Sequence, residues 1–146
     1  MSFCSSASGC ACLNDWDQPL AVNQIVDLLL DVKRAATISG TPVILILVIR
    51  ESMPAPGSYL LSCLRAALPA LLDCCEQLLV VVEGSTSDRT LIRGAFQTTR
   101  RTAAKQTSVQ LFESLSTAFT HAQRFAPHDI LELQRQVMHR SLASRR

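Results

Sequence analysis

The chain has 146 residues, of which 48% are hydrophobic and 18% charged, so it can bury a core as one domain without disulfides or metals. This composition excludes a disordered protein, and the net charge of +2 gives no electrostatic sign of a nucleic-acid or membrane partner. Residues 1–84 carry four basic and eight acidic groups (net −4), whereas residues 85–146 carry ten basic and four acidic groups (net +6). We interpret the basic half as solvated helix faces with a basic tail.

The first elements along the chain are a head, a helix and a strand. Residues 1–14 are small and polar with no periodicity, which predicts a mobile head before a single domain at residues 15–146. Apolar residues recur at helical spacing over residues 22–36, and Gly40 is a candidate C-cap. The run Val43–Ile49 is β-branched and apolar on both faces, which is typical of a central strand in a parallel sheet.

The rest of the chain alternates between helix and strand. A helical pattern starts at Ser58, and Pro69 within it predicts a kink or two shorter helices. Residues 78–82 form a second buried strand, and residues 109–112 form a shorter third one. The predicted order α-β-α-β-α-β-α-α indicates an α/β fold, a single small domain with a central, mostly parallel sheet and helices on both faces.

Six cysteines raise the question of a metal or disulfide site. Cys4, Cys10 and Cys12 have no nearby histidine, and Cys74 and Cys75 fall inside an apolar helical pattern. We therefore expect free thiols in a reducing compartment, with no metal and no cofactor. The first residues lack a charged and apolar signal segment, and the longest apolar run is far shorter than the roughly 20 residues that span a bilayer. We expect a cytoplasmic protein without a membrane contact.

The carboxyl ends of the predicted strands are where ligands of open α/β sheets gather. They are residues 50–52, 83–88 and 113–114. The middle segment joins a buried strand to a helix whose free N–H groups attract anions, so a phosphate could bind or be attached there. Alternatively, its hydroxyls only cap the helix and its aspartate complements the helix dipole. The candidate partner-binding or phosphorylation residues are Ser85, Thr86, Ser87, Asp88, Arg89 and Arg93.

Motifs for catalysis are missing from the sequence. It contains no phosphate-binding glycine loop, no dinucleotide fingerprint and no G-x-S-x-G elbow. His121, His128 and His139 fall in the last two predicted helices, away from the strand ends, so we interpret them as surface or capping residues. With a single Trp16 and a single Tyr59, little aromatic surface is left for stacking nucleic-acid bases. No catalytic residue is predicted.

A family resemblance appears in residues 78–93, LLVVVEGSTSDRTLIR, and in residues 55–75, APGSYLLSCLRAALPALLDCC. Over residues 25–123 the chain resembles the STAS and SpoIIAA-like domains, especially the small stand-alone versions of myxobacteria and their relatives. The resemblance implies a fold that opens with a β-hairpin. In anti-sigma-factor antagonists of this group, a partner kinase phosphorylates a serine at the start of the helix after a central strand, which switches binding. The family's D-S-S-G stands here as Gly84-Ser85-Thr86-Ser87.

The sequence therefore predicts a non-enzymatic regulatory or protein-interaction module of the STAS, anti-anti-sigma type. Its expected partner is a protein, such as a kinase or another regulatory factor, and not a nucleic acid. Two alternatives stay open. One is a small hydrolase or transferase that uses the same strand ends, and the other is an oligomeric scaffold or assembly component that buries apolar surface of its last helices between subunits.

Overall fold

The computed structural model describes residues 4–84, 87–102 and 108–143, which form one mixed sheet and five helices. The elements in chain order are β1 (Cys4–Ser8), β2 (Ala11–Trp16), α1 (Val22–Ser39), β3 (Val43–Ile49), α2 (Ser58–Asp73), β4 (Cys75–Val82), α3 (Ser87–Thr102), β5 (Ser108–Phe112), α4 (Leu115–Ala122) and α5 (Pro127–Ala143). None of the helices in these ranges is long and apolar enough to cross a membrane.

The sheet has the strand order β1-β2-β3-β4-β5. Strands β2 to β5 are parallel, and β1 pairs with β2 in the antiparallel direction. The predicted mostly parallel sheet is confirmed, and so is the pairing of Val43–Ile49 with the strand at residues 78–82. Leu47, at the middle of the sheet, lies opposite Asn14 on one side and Val80 on the other.

Helices cover both faces of the sheet because both faces of its central strands are apolar. All seven residues of β3 are buried, and their side chains alternate between two separate core clusters. Helices α1, α2 and α3 follow successive strands and pack on one face, as right-handed crossovers along one direction of the sheet require. Helices α4 and α5 return across the other face, where α5 packs against β1 and β2.

The mobile head predicted for residues 1–14 is wrong for the part that the structure describes. Cys4–Ser8 and Ala11–Trp16 are strands of the sheet, and Trp16 is among its largest fully buried side chains. The sequence did not predict this strand because β2 lacks β-branched residues. Its pairing with β3 and its burial outweigh its low intrinsic strand propensity.

Two further expectations also change. Pro69 does not divide its helix, since α2 runs without interruption from Ser58 to Asp73. Cys75 is the first residue of β4, and Cys74 is the C-cap of α2, so this cysteine pair sits at a helix-to-strand junction and not inside a helix. Gly40 does close α1, where its N–H donates to the carbonyl oxygen of Ala36 at 2.9 Å.

The burial of β3 leads to a testable difference between two leucines. Replacing Leu47, which is 0% exposed, by alanine is expected to lower the free energy of unfolding by about 3–4 kcal/mol, because a cavity remains between two packed layers. The matched control is Leu131→Ala on α5, where the side chain is 46% exposed and the expected loss is below about 1 kcal/mol. Urea denaturation measures both, and equal losses would contradict the two-faced core.

Candidate functional site at the carboxyl edge of the sheet

The carboxyl ends of the parallel strands bring charged residues together at one edge of the sheet. Asp15 lies near the end of β2, and Arg50 directly follows β3. Glu83 directly follows β4, and Glu113 directly follows β5. The strand ends that the sequence singled out therefore do meet at one edge, and Asp15 joins them from β2, a strand that the sequence did not predict.

Arg50 links the ends of three neighbouring strands. Its Nε and Nη2 donate to the two carboxylate oxygens of Asp15 at 2.9 and 2.8 Å, and its Nη1 donates to Oε2 of Glu83 at 3.0 Å. The guanidinium is half-buried, and hydrogen bonding to Asp15 is the main reason that the pKa of Arg50 is raised further above its ordinary value. A forked, charge-assisted pair of this kind fixes geometry as well as charge.

Arg89 of α3 is buried and binds the β3–α2 loop. Its residue is 5% exposed, and its Nη2 donates to the carbonyl oxygens of Glu51 at 2.5 Å and Met53 at 2.6 Å. Its Nε and Nη1 have no hydrogen-bond partner among the described residues. The first turn of α3 is thereby tied to the loop that follows β3.

Arg93, one turn further along α3, holds the end of β4. Its Nη2 donates to the carbonyl oxygens of Val82 at 3.0 Å and Gly84 at 2.5 Å. Gly84 has a φ of +93°, a conformation that favours glycine, and a Cβ added there would lie 3.3 Å from Cγ of Glu51. The chain can therefore leave β4 in this direction only with glycine at position 84.

An open cleft of about 420 Å³ lies at this edge. Its lining residues are Glu51, Val82, Gly84, Arg93 and Glu113. Neither the Glu51 nor the Glu113 carboxylate forms an ion pair with any residue in the described part of the chain. The cleft thus presents two unpaired carboxylates beside one anchored guanidinium, an arrangement that can accept hydrogen bonds from a partner and discriminate by charge.

The six predicted site residues differ in whether the structure describes them and in what they contact. Ser85 and Thr86 lie outside the described residues. Ser87 and Asp88 are the first two residues of α3, and their side chains are not described. Arg89 and Arg93 were expected to meet a phosphate or an acidic partner, yet Nη2 of each binds backbone carbonyls of its own fold.

The histidines lie apart from the cleft lining. His121 of α4 stands between the rings of Phe112 and Phe125, with ring centroids 5.5 Å away on each side. His128 and His139 are exposed on α5. The titratable groups that do line the cleft are the carboxylates of Glu51 and Glu113 and the guanidinium of Arg93.

The five cysteines whose side chains are described are free thiols: Cys10, Cys12, Cys63, Cys74 and Cys75. Burial raises the pKa of Cys12 to about 11 and that of Cys75 to about 12, so both stay protonated at neutral pH. The backbone N–H and the thiol of Cys10 each donate to Oδ2 of Asp129 at 3.3 Å, which ties the β1–β2 turn to α5. Within residues 4–84, 87–102 and 108–143, no three potential metal ligands converge.

Loss of the Arg50 link is expected to weaken the fold. In Arg50→Gln, the free energy of unfolding should fall by about 1–3 kcal/mol, because two half-buried carboxylates lose their charged hydrogen bonds. Arg135→Gln is the matched control, since Arg135 faces Glu132 at 3.5 Å with both side chains largely exposed, a pair worth about 0–1 kcal/mol. Chemical denaturation of both variants tests the difference, and an Arg50 effect no larger than the control would show that the link is not structural.

Because these cysteines are free thiols, we expect the stability of the fold to be insensitive to reductant and chelator. The melting temperature and the circular dichroism spectrum should be unchanged in excess of both reagents, because the cysteines with described side chains are unbridged and the raised pKa values of Cys12 and Cys75 keep these two thiols protonated. A native sample treated with a thiol-alkylating reagent serves as the control, and Cys12 and Cys75 should remain unmodified until the protein unfolds. A marked drop in melting temperature would reveal a bond or metal that stabilises the fold.

Comparison with known proteins does not assign this chain to a family. No protein-family model matches the chain, and no curated protein matches it. The function has to be inferred from the chemistry of the carboxyl edge itself.

Proposed function

We propose that this chain is a non-enzymatic interaction module of the STAS type, whose partner surface is the carboxyl edge around the β4–α3 turn. The observation that carries the proposal is the way this turn is held. Arg93 binds the carbonyls before the turn, and Arg89 binds the loop next to it. Gly84 before the turn and the first turn of α3 after it are thus both held by hydrogen bonds, which lowers the entropic cost of binding a partner there.

The topology supports this proposal. The described chain opens with a β1–β2 hairpin, an opening that is usual in the family that the sequence resembles, although the sequence itself did not predict it. Strand β4 lies between β3 and β5, and α3 begins at Ser87, directly after the turn that follows β4. Ser87, the first residue of α3, stands at the start of a helix after a central strand, which is the kind of position that is phosphorylated in that family.

The charges of the edge indicate how a phosphate would act as a switch. Free N–H groups and the dipole at the start of α3 favour an anion there. Glu51 and Glu113 line the adjacent cleft without an ion pair in the described chain, so a phosphate of about −2 charge adds to their negative charge. Phosphorylation then strengthens the negative field of the partner surface without disturbing the fold behind it, and affinity for a charged partner changes.

The test is a phosphate mimic at the turn. Ser85, Thr86 and Ser87 are replaced together by aspartate, and the affinity for a partner captured from the native cell and then purified is measured by calorimetry. We expect a change of on the order of 1–3 kcal/mol, equivalent to about 5- to 150-fold in the dissociation constant, with an unchanged circular dichroism spectrum. Mass spectrometry of the captured chain reports whether these hydroxyls carry phosphate.

Two exposed polar residues away from this edge provide the matched control. Thr41, just before β3, and Gln123, the C-cap of α4, lie toward the opposite, amino edge of the sheet, so their double replacement by aspartate adds charge away from the carboxyl-edge cleft. It should leave partner affinity unchanged. If the partner binds the triple aspartate variant as tightly as the original chain, while alanine replacements cost only about 1 kcal/mol of stability, the turn is a helix cap and not a switch.

A further inference from the structure

Helix α1 carries a second apolar stripe that the fold does not bury. Its inner face consists of Ile25, Leu28 and Val32, each at most 4% exposed. Val22 and Val26 also belong to the apolar pattern of residues 22–36, but they are 42% and 49% exposed. Leu30 is 52% exposed and continues the same line at four-residue spacing, which is one side of a helix.

The charges of α1 are ordered along the helix. Asp27 and Asp31 come first, and Lys33 and Arg34 follow them toward the C-terminus. None of the four forms an ion pair with another residue in the part of the chain that the structure describes. Asp27 and Arg34 are seven residues apart, about two helical turns, so they lie on the same edge of the helix with Leu30 between them.

This pattern is complementary to itself in only one direction. If two copies of α1 run antiparallel about a two-fold axis near Leu30, Asp27 of each copy faces Arg34 of the other, and the pair occurs twice. The two Leu30 side chains meet near the axis, and Val26 packs on the aliphatic stems of the basic residues. A parallel arrangement would instead place like charges opposite one another.

We infer that the outer face of α1 is the interface of a symmetric homodimer. Helix α1 is available for this role because it ends the α1-α2-α3 layer, with α2 as its helix neighbour in that layer. A single helix face is a small interface, so we expect a weak and reversible dimer. The interface lies outside the carboxyl-edge cleft, so it does not depend on the proposed function.

The test is an exchange of charges read by analytical ultracentrifugation of the full chain over micromolar to millimolar concentrations. Asp27→Arg and Arg34→Asp should each raise the dimer dissociation constant on the order of tenfold, because each places like charges together twice. The double variant D27R/R34D has the original composition and should return to within about threefold of the original constant. Leu30→Glu should raise the constant by at least about tenfold, because two carboxylates meet near the axis.

Arg65→Asp is the matched control, since Arg65 is exposed on the neighbouring helix α2 and its reversal should leave the constant unchanged. Circular dichroism checks that every variant is folded. A chain that sediments as a monomer up to millimolar concentration overturns the inference. So does a dimer that is insensitive to Leu30→Glu, or one that the double variant fails to restore, because its interface then lies elsewhere or has another geometry.

Discussion

The rest of the structure depends on the need to cover both faces of β3. All seven of its residues are buried, so water has to be excluded from each side of the sheet at once. Three helices placed by successive crossovers can cover only one face, and α4 and α5 are required for the other. In crossing that face, α5 reaches β1 and β2, and Asp129 at its start holds the β1–β2 turn through Cys10. The first and last described elements are therefore joined by the same requirement.

Three arginines organise the carboxyl edge in two different ways. Arg50 binds the carboxylates that end β2 and follow β4, whereas Arg89 and Arg93 bind backbone carbonyls. A planar guanidinium with several donors suits each task, which a lysine ammonium would perform less well. The consequence is that Gly84 and the first turn of α3, on either side of the β4–α3 turn, are both held by hydrogen bonds. Glu51 and Glu113, which have no ion pair in the described chain, are left to set the charge of the cleft.

The two proposed surfaces are compatible because they use different elements. The cleft is lined by residues at the ends of β4 and β5, in the loop after β3, and on α3, and no residue of α1 is among those that line it. Pairing through α1 would leave both clefts of a dimer accessible. Two clefts held on one particle can bind a partner with repeated sites more tightly than one cleft can, through a higher effective concentration. A weak dimer would then tighten the binding of such a partner, although α1 itself does not contact the partner.

The sequence alone was sufficient for the strands β3 and β4, for the alternation with helices and for the mostly parallel sheet. Those features follow from uninterrupted apolar runs and helical periodicity, which act locally and require burial wherever the chain places them. It also located the strand ends that form the candidate site. The sequence could predict that three of the cleft residues lie near one another, because the carboxyl ends of parallel strands share an edge: Glu51, Gly84 and Glu113.

Other features were decided by tertiary structure. Strand β2 exists because β3 offers it a buried pairing edge, and that long-range contact has no signature in a segment without β-branched residues. The partners of Arg89 and Arg93 depend on how the β3–α2 loop and the end of β4 approach α3, which residue types cannot show. The apolar residues of α1 were similarly ambiguous, because helical spacing is satisfied by an inner face at Ile25 and Val32 and by an outer stripe at Val26 and Leu30. Periodicity identifies a helix face, but only the position of the sheet determines which face is buried.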